Sequence, residues 1–180
     1  AWALLAFPDA PPAFRRGCVA ILVDEQRHCG LYLERMAAYG TRFGDHPVSG
    51  RFWRELGHVT SPLAFVCTMG LTHEGANLDF ADELLTAARA AGDAATVAAL
   101  ETVHADEIRH VAFGWRWMRA LKDPGVADWD AFASAGPPHA AERARGARFD
   151  RAAREAAGLD ADFLDRLERT PPTGPGGGRR

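Results

Sequence analysis

The chain has 180 residues, of which 47% are hydrophobic and 25% charged, with a formal net charge of −3. That length suits one domain with a full core, and the charge balance offers no general attraction to nucleic acid or to a membrane surface. No apolar run of about 18 residues is present, so no segment reads as a membrane span.

The chain opens AWALLAF, already inside an apolar helical pattern and with no initiating methionine. A longer first helix is therefore expected to precede Ala1, with residues 1–7 as its last turns before Pro8 and Pro11-Pro12. A long second helix is expected from about Ala13 to Tyr39, closed by Gly40. Residues 41–60 mix turn formers with one short helix near Phe52–Leu56. Ser61-Pro62 places serine at an N-cap and proline at the first helical position, which starts a third helix running to about Ala91. Gly92-Asp93 breaks it, and a fourth runs to about Leu121, before Asp123-Pro124-Gly125. The Ala/Arg-rich stretch 139–168 suggests one or two short helices, so the domain is drawn over 1–168. Residues 169–180, ending TPPTGPGGGRR, read as a disordered tail.

Loop lengths set the expected topology. The first and second helices, and the third and fourth, are joined by a few residues, so each pair should form an antiparallel hairpin. The link of about 20 residues between the second and third can run back along a helix of about 40 Å. Those two helices are then parallel. The fold class expected is all-α, a ferritin-like four-helix bundle with one long crossover and a truncated first helix.

The cysteines add little. Cys18 and Cys29 on one helix lie about 16 Å apart, beyond the reach of a disulfide. Cys67 has no evident partner, and this usage fits a reducing cytoplasm.

One motif occurs twice: DEQRH at 24–28 and DEIRH at 106–110. Glutamate and histidine three residues apart share a helix face, so the strings are either solvated charge or two halves of one site. Carboxylate-bridged di-metal centres in helical bundles take a Glu from each of two helices and Glu-x-x-His from each of the other two. Hard cations favour carboxylate oxygens, and one imidazole per ion leaves positions open for oxygen. Glu25–His28 and Glu107–His110 supply the two Glu-x-x-His halves. In the third helix, FVCTMGLTHEGANLDF is read as carrying one ligand carboxylate, Glu74, at a depth matching Glu107. The last glutamate is expected on the first helix, about six residues upstream of Ala1 by reflection through the turn.

Several neighbours carry two readings. Asp24 and Asp106 either orient the histidines across the helix pair, Asp24 to His110 and Asp106 to His28, or pair with Arg27 and Arg109 on their own helices. Glu101–His104 is a competing Glu-x-x-His, with Glu83 opposite. The 107/110 pair is preferred, and His104 is kept as a polar group behind the ligands. Asn77 is either such a group or polar packing. Tyr32, one turn beyond His28, is either a redox-active phenol or core. Gly70 and Gly75 flank Glu74 and either leave room for oxygen or allow close helix packing.

These residues resemble the ferritin-like superfamily. AWALLAFPDAP, DEQRH with the following LYLER, SPLAFVCTMGLTHEGANLD and DEIRHVAFGWRW are more closely similar to an uncharacterised bacterial ferritin-like family, domain of unknown function 455, over about residues 1–168. The resemblance implies a bundle with two iron ions, or manganese or mixed iron and manganese, held by Glu25, His28, Glu74, Glu107 and His110. It names no substrate. The expected function is an oxygen-activating oxidoreductase, an oxidase or monooxygenase, acting on a small molecule with O2. Ferroxidase activity with iron storage is a second reading, and a non-enzymatic binding module with relic ligands a third. No membrane partner is expected. The row Arg143, Arg145, Arg148, Arg151 and Arg154 gives slight support to a tRNA-linked variant, but Glu142, Asp150 and Glu155 interleave, and a solvated helix face is the reading preferred.

Overall fold

Proline and glycine punctuation cuts the chain into helices, and among the described residues there is no strand. The structure is a computed structural model and describes residues 1–172. Most of the expected tail lies outside the described residues.

Helix α1 (Trp2–Ala6) stops short of Pro8. Its orphan C-terminal carbonyls are met by Arg15, whose Nη1 donates to the oxygens of Leu4 (3.0 Å) and Phe7 (3.1 Å). Arg15 lies on α2 (Pro12–Ala38), which starts with proline in its first turn and ends just before Gly40, where a φ of +72° needs glycine. The crossover carries α3 (Arg51–Leu56), as expected. Helix α4 (Pro62–Phe65) is capped by Ser61, whose Oγ accepts from the Ala64 amide at 3.1 Å.

The expected third helix is a continuous rod but not a uniform one. Helix α4 leads into a π-helix, Val66–His73, and then into α5 (Glu74–Ala90). No propensity rule signals such a stretch. It forms where Gly70 meets Gly114 of α6 (Ala94–Leu121): a Cβ on Gly70 would lie 3.1 Å from the Gly114 Cα. Thr72 Oγ1 donates to the Cys67 carbonyl at 2.8 Å, spanning the five-residue step of the wider turn.

Contacts fix the directions. His28 meets Asp106 while Arg35 meets Asp93, so α2 and α6 are antiparallel. Gly70 meets Gly114 while Arg89 meets Glu101, so the π-helix and α5 are antiparallel to α6 as well. Thus α2 and α5 run the same way, joined by the crossover.

The C-terminal part corrects the sequence reading. After α7 (Asp128–Ala135), the stretch expected to hold one or two short helices holds three: α8 (Ala140–Arg143), α9 (Arg151–Ala156) and α10 (Ala161–Arg169). Helices α8 and α9 are too short to show a period of their own, and tertiary burial stabilises them. Phe132 and Phe163 pack at 5.3 Å and Phe163 lies 4.9 Å from Trp115 of α6. Phe14, Phe65, Phe113 and Trp117 form a second aromatic group toward α1. All three cysteines are free. Among the described residues no helix is long and apolar enough to cross a membrane.

Candidate metal centre

Antiparallel packing of α2 on α6 turns the two D-E-x-R-H strings into an interlocked pair. His28 Nε2 lies 2.9 Å from Asp106 Oδ2, and His110 Nε2 lies 3.2 Å from Asp24 Oδ2. The two readings of the aspartates turn out not to exclude each other. Arg27 donates to Asp24 on its own helix at 3.0 Å and also to Asp106. Arg109 donates to Asp106 on its own helix and to Asp24 at 3.4 Å. Burial alone would raise the Asp106 pKa, but hydrogen bonds from His28, Arg27 and Arg109 outweigh it and hold the carboxyl at about 2. With Nε2 of each histidine engaged by an aspartate, Nδ1 is the nitrogen left to face the glutamates.

Both Nδ1 atoms turn toward the glutamates. Glu25 Oε1 is 3.7 Å from His28 Nδ1 and 3.4 Å from His110 Nδ1, and Glu107 Oε2 is 3.7 Å from His110 Nδ1. Ligand atoms of Glu25, His28 and Glu107 lie within 4.8 Å of one another, and so do those of Glu25, Glu74 and His110. Glu25 belongs to both groups. Glu107 Oε2 and His110 Nδ1 are buried and have no hydrogen-bond partner among the described residues. A carboxylate oxygen left so is costly unless something else binds it. Three glutamates and two imidazole nitrogens are a donor set that suits iron or manganese. The fit is open on one side, because 47% of the Glu25 side chain is exposed. Among the described residues no further carboxylate joins either group.

Glu74 is the first residue after the π-helix, so the widened turn decides where its carboxylate points. Burial, then the charge of Glu107, pushes its pKa up to about 8, against the pull of His110. Burial disfavours the charged form of His110, but Glu107, Glu25, Glu74 and Asp24 outweigh it and push its value up to about 11. The metal-free cluster therefore holds more protons than the unfolded chain near neutral pH.

The sign of the consequence follows from linkage. Glu74 takes up a proton on folding between its ordinary value and about 8. The stability that His110 contributes is full below its ordinary value and is lost as pH rises toward about 11. Both effects make the metal-free protein less stable as pH rises. Urea midpoints should fall between about pH 5 and about pH 9, and fall less in Glu74→Gln. An equal fall in that variant removes Glu74 from the cluster.

The remaining candidates lie as follows. Tyr32 is partly exposed, and burial followed by the charges of Glu107 and Glu25 raises its pKa. Asn77 is exposed on the wall of a cavity that reaches Glu74. The placement of His104 behind the ligands needs correction: its Nε2 bonds Asp150 at 3.0 Å, in the C-terminal region. Glu101 pairs with Arg89 at the surface. Gly70 serves close helix packing, and a Cβ on Gly75 would lie 3.4 Å from the Ala144 carbonyl.

The arginine row is not a free basic face. Arg143 binds Glu55, Arg148 binds Asp82, and Arg151 binds Glu155, Asp165 and Glu168. Arg145 and Arg154 are buried. Arg154 ties the backbone beside Glu74 by donating to the Gly75 carbonyl at 2.7 Å, and it pairs with Asp79. Sequence reasoning missed this pair and took Glu74 alone from a stretch that also holds Asp79. The available signal was an aspartate flanked by Leu78 and Phe80 and an arginine set among alanines.

Over residues 1–165 the chain matches the family described as Protein of unknown function (DUF455). The comparisons with curated proteins and with solved structures give no match.

Proposed function

The chain belongs to the DUF455 family, whose function is unknown, and on the residues just described we propose that it is a ferritin-like di-metal carboxylate protein acting as an oxygen-activating oxidoreductase on a small organic substrate. The observation that carries this reading is a pair of buried ligand atoms, Glu107 Oε2 and His110 Nδ1, that make no hydrogen bond among the described residues. They face the second Glu-x-x-His half, whose own histidine is oriented by Asp106. Parallel α2 and α5, each antiparallel to α6, support the ferritin-like arrangement.

Glu25, His28, Glu74, Glu107 and His110 would hold two ions, iron or manganese. Such a pair, when bound, supplies the electrons and the Lewis acidity that oxygen chemistry requires. The protein does the rest. Asp24 and Asp106 keep the Nε2 protons in place, so each imidazole offers Nδ1 and cannot swing. Arg27 and Arg109 each donate to both aspartates and so fix the two carboxylates beside the histidines. Burial of His28, Glu107 and His110 excludes water on the α6 side. Glu25 and Glu74 border the cavity through which a substrate reaches the centre.

Asp106→Asn should weaken metal binding by about 10- to 100-fold, because an amide no longer holds the His28 tautomer. Competition with a metallochromic chelator measures it, and unchanged affinity removes Asp106 from the site. The function as a whole is tested by anaerobic loading with Fe(II). Binding near two ions per chain, with an absorbance band that appears only on exposure to oxygen, is the expected result. A chain that takes up no metal is a binding module with relic ligands.

A further inference from the structure

Each histidine of the centre is oriented by an aspartate across the helix pair. Glu74 is oriented through its backbone, as the first residue after the π-helix, where the five-residue hydrogen-bond step gives way to the four-residue one. Its Oε2 stands 3.6 Å from the place that a Cβ on Gly70 would take. Any rotation of this turn is carried along the side chain to the carboxylate.

One guanidinium holds the turn from outside α5. Arg154 of α9 is 1% exposed, and its Nη2 donates to the Gly75 carbonyl at 2.7 Å and to Asp79 Oδ2 at 2.9 Å. Gly75 and Asp79 are four residues apart, so these bonds grip both ends of the first turn of α5. Nη2 also reaches the Ala144 carbonyl at 3.0 Å, and Nη1 donates to Asp79 Oδ1 at 2.6 Å and to the Asp150 carbonyl at 3.0 Å. Desolvation offsets much of the attraction in a buried ion pair. What the guanidinium adds is direction, because its donors lie in a rigid planar fork.

We propose that Arg154 is a positioning residue of the centre: through Gly75 and Asp79 it holds the first turn of α5 in the rotation that presents the Glu74 carboxylate to the ion shared with His110. The role toward a metal rests on the di-metal reading, whereas the brace on the turn rests on the hydrogen bonds alone.

The test is a double-mutant cycle on the whole chain. Anaerobic Fe(II) titrations against a metallochromic chelator compare wild type, Arg154→Lys, Glu74→Ala and the double variant. Lysine keeps a charge beside Asp79 and loses the fork. Arg154→Lys should weaken one ion of the pair at least about tenfold and leave the other within about threefold. On the Glu74→Ala background it should weaken that ion no further, because it acts only through the missing carboxylate. Leu164→Ala, in the core of α10 at 0% exposure, belongs to none of these hydrogen bonds and should leave both ions bound as in wild type. Unchanged affinities in Arg154→Lys, equal weakening of both ions, additive losses in the cycle, or a matching loss in Leu164→Ala each overturn the proposal. If Arg154→Lys does not fold, Asp79→Asn takes its place under the same criteria, since it keeps the shape of the pair and weakens its grip.

Hydrogen–deuterium exchange of the metal-free chain separates the two ideas. Amides 75–79 should exchange at least about tenfold faster in Arg154→Lys, with those of 25–28 on α2 unchanged. Wild type that takes up no metal overturns the di-metal reading and with it the role toward an ion, while this faster exchange upholds the brace. Wild type that loads two ions, with Arg154→Lys binding both as tightly, keeps the di-metal reading and overturns the positioning role.

Discussion

Glu74→Ala should lower the metal content of the loaded chain by about one ion, leaving the other in place. The two ligand groups share Glu25, but only the one with His110 uses Glu74. Removing that carboxylate strips one side of the cluster and leaves Glu25, His28 and Glu107 as they were. The substitution is mild for the fold, because burial already disfavours a charge at this position. Without metal, burial and Glu107 keep this carboxyl mostly protonated near neutral pH, so the substitution removes little charge and the melting temperature of the apo variant should change little. Elemental analysis after anaerobic loading and desalting gives the count, and circular dichroism gives the fold. A variant that keeps both ions shows that the helix leaving the π-turn contributes nothing to the centre.

A larger loss of stability is expected from Asp79→Ala. Asp79 and Arg154 are 0% and 1% exposed and meet through two bonds, of 2.6 and 2.9 Å. The aspartate also accepts from the amides of Gly146 (2.8 Å) and Asp150 (2.7 Å). The guanidinium donates to the carbonyls of Gly75, Ala144 and Asp150 and lies 4.2 Å from the Phe149 ring centre. Every charge is met, so the pair is tolerated despite its desolvation. Deleting one partner strands the other, which costs about 3–5 kcal/mol. For a domain of this size that lowers the melting temperature by roughly 6–20 °C. The double change Asp79→Leu with Arg154→Met should recover only part of the loss, because two amides and three carbonyls still lose their partners. A single variant that melts within a few degrees of wild type means the C-terminal helices are not tied to α5 through this pair.

The link to the site is short. Arg154 grips the carbonyl of Gly75, next to Glu74, and a Cβ on Gly75 would press on Ala144. The C-terminal helices thus brace the turn from which Glu74 projects. Nothing in the composition of residues 139–168 announced this. Alternating arginine and acid looked like a solvated face, and its charges instead satisfy one another inside the molecule or across its surface.

Helix positions along α2, α3 and α6 were legible because their signals are local. Proline at a first turn, glycine at positive φ and a serine or aspartate cap act within four or five residues. The D-E-x-R-H strings were legible for the same reason, since three-residue spacing puts Glu and His on one face wherever the helix goes. Even their crossed pairing could be anticipated as one of two readings, because two D-E-x-R-H strings on antiparallel helices meet head to tail. His104 misled because a Glu-x-x-His looks the same whether it faces a centre or, as here, the Asp150 side chain.

By itself, then, the sequence determined the helical class, the punctuation of the long helices and the five residues that gather around one point. Backbone sterics and side-chain periodicity are enough for those. Tertiary structure alone decided the π-turn before Glu74 and the Asp79–Arg154 tie. The π-turn depends on two glycines 44 positions apart coming into contact, and the ion pair joins residues 75 positions apart. Such features are set by what each side chain meets after the chain has closed on itself, and no local pattern encodes that meeting.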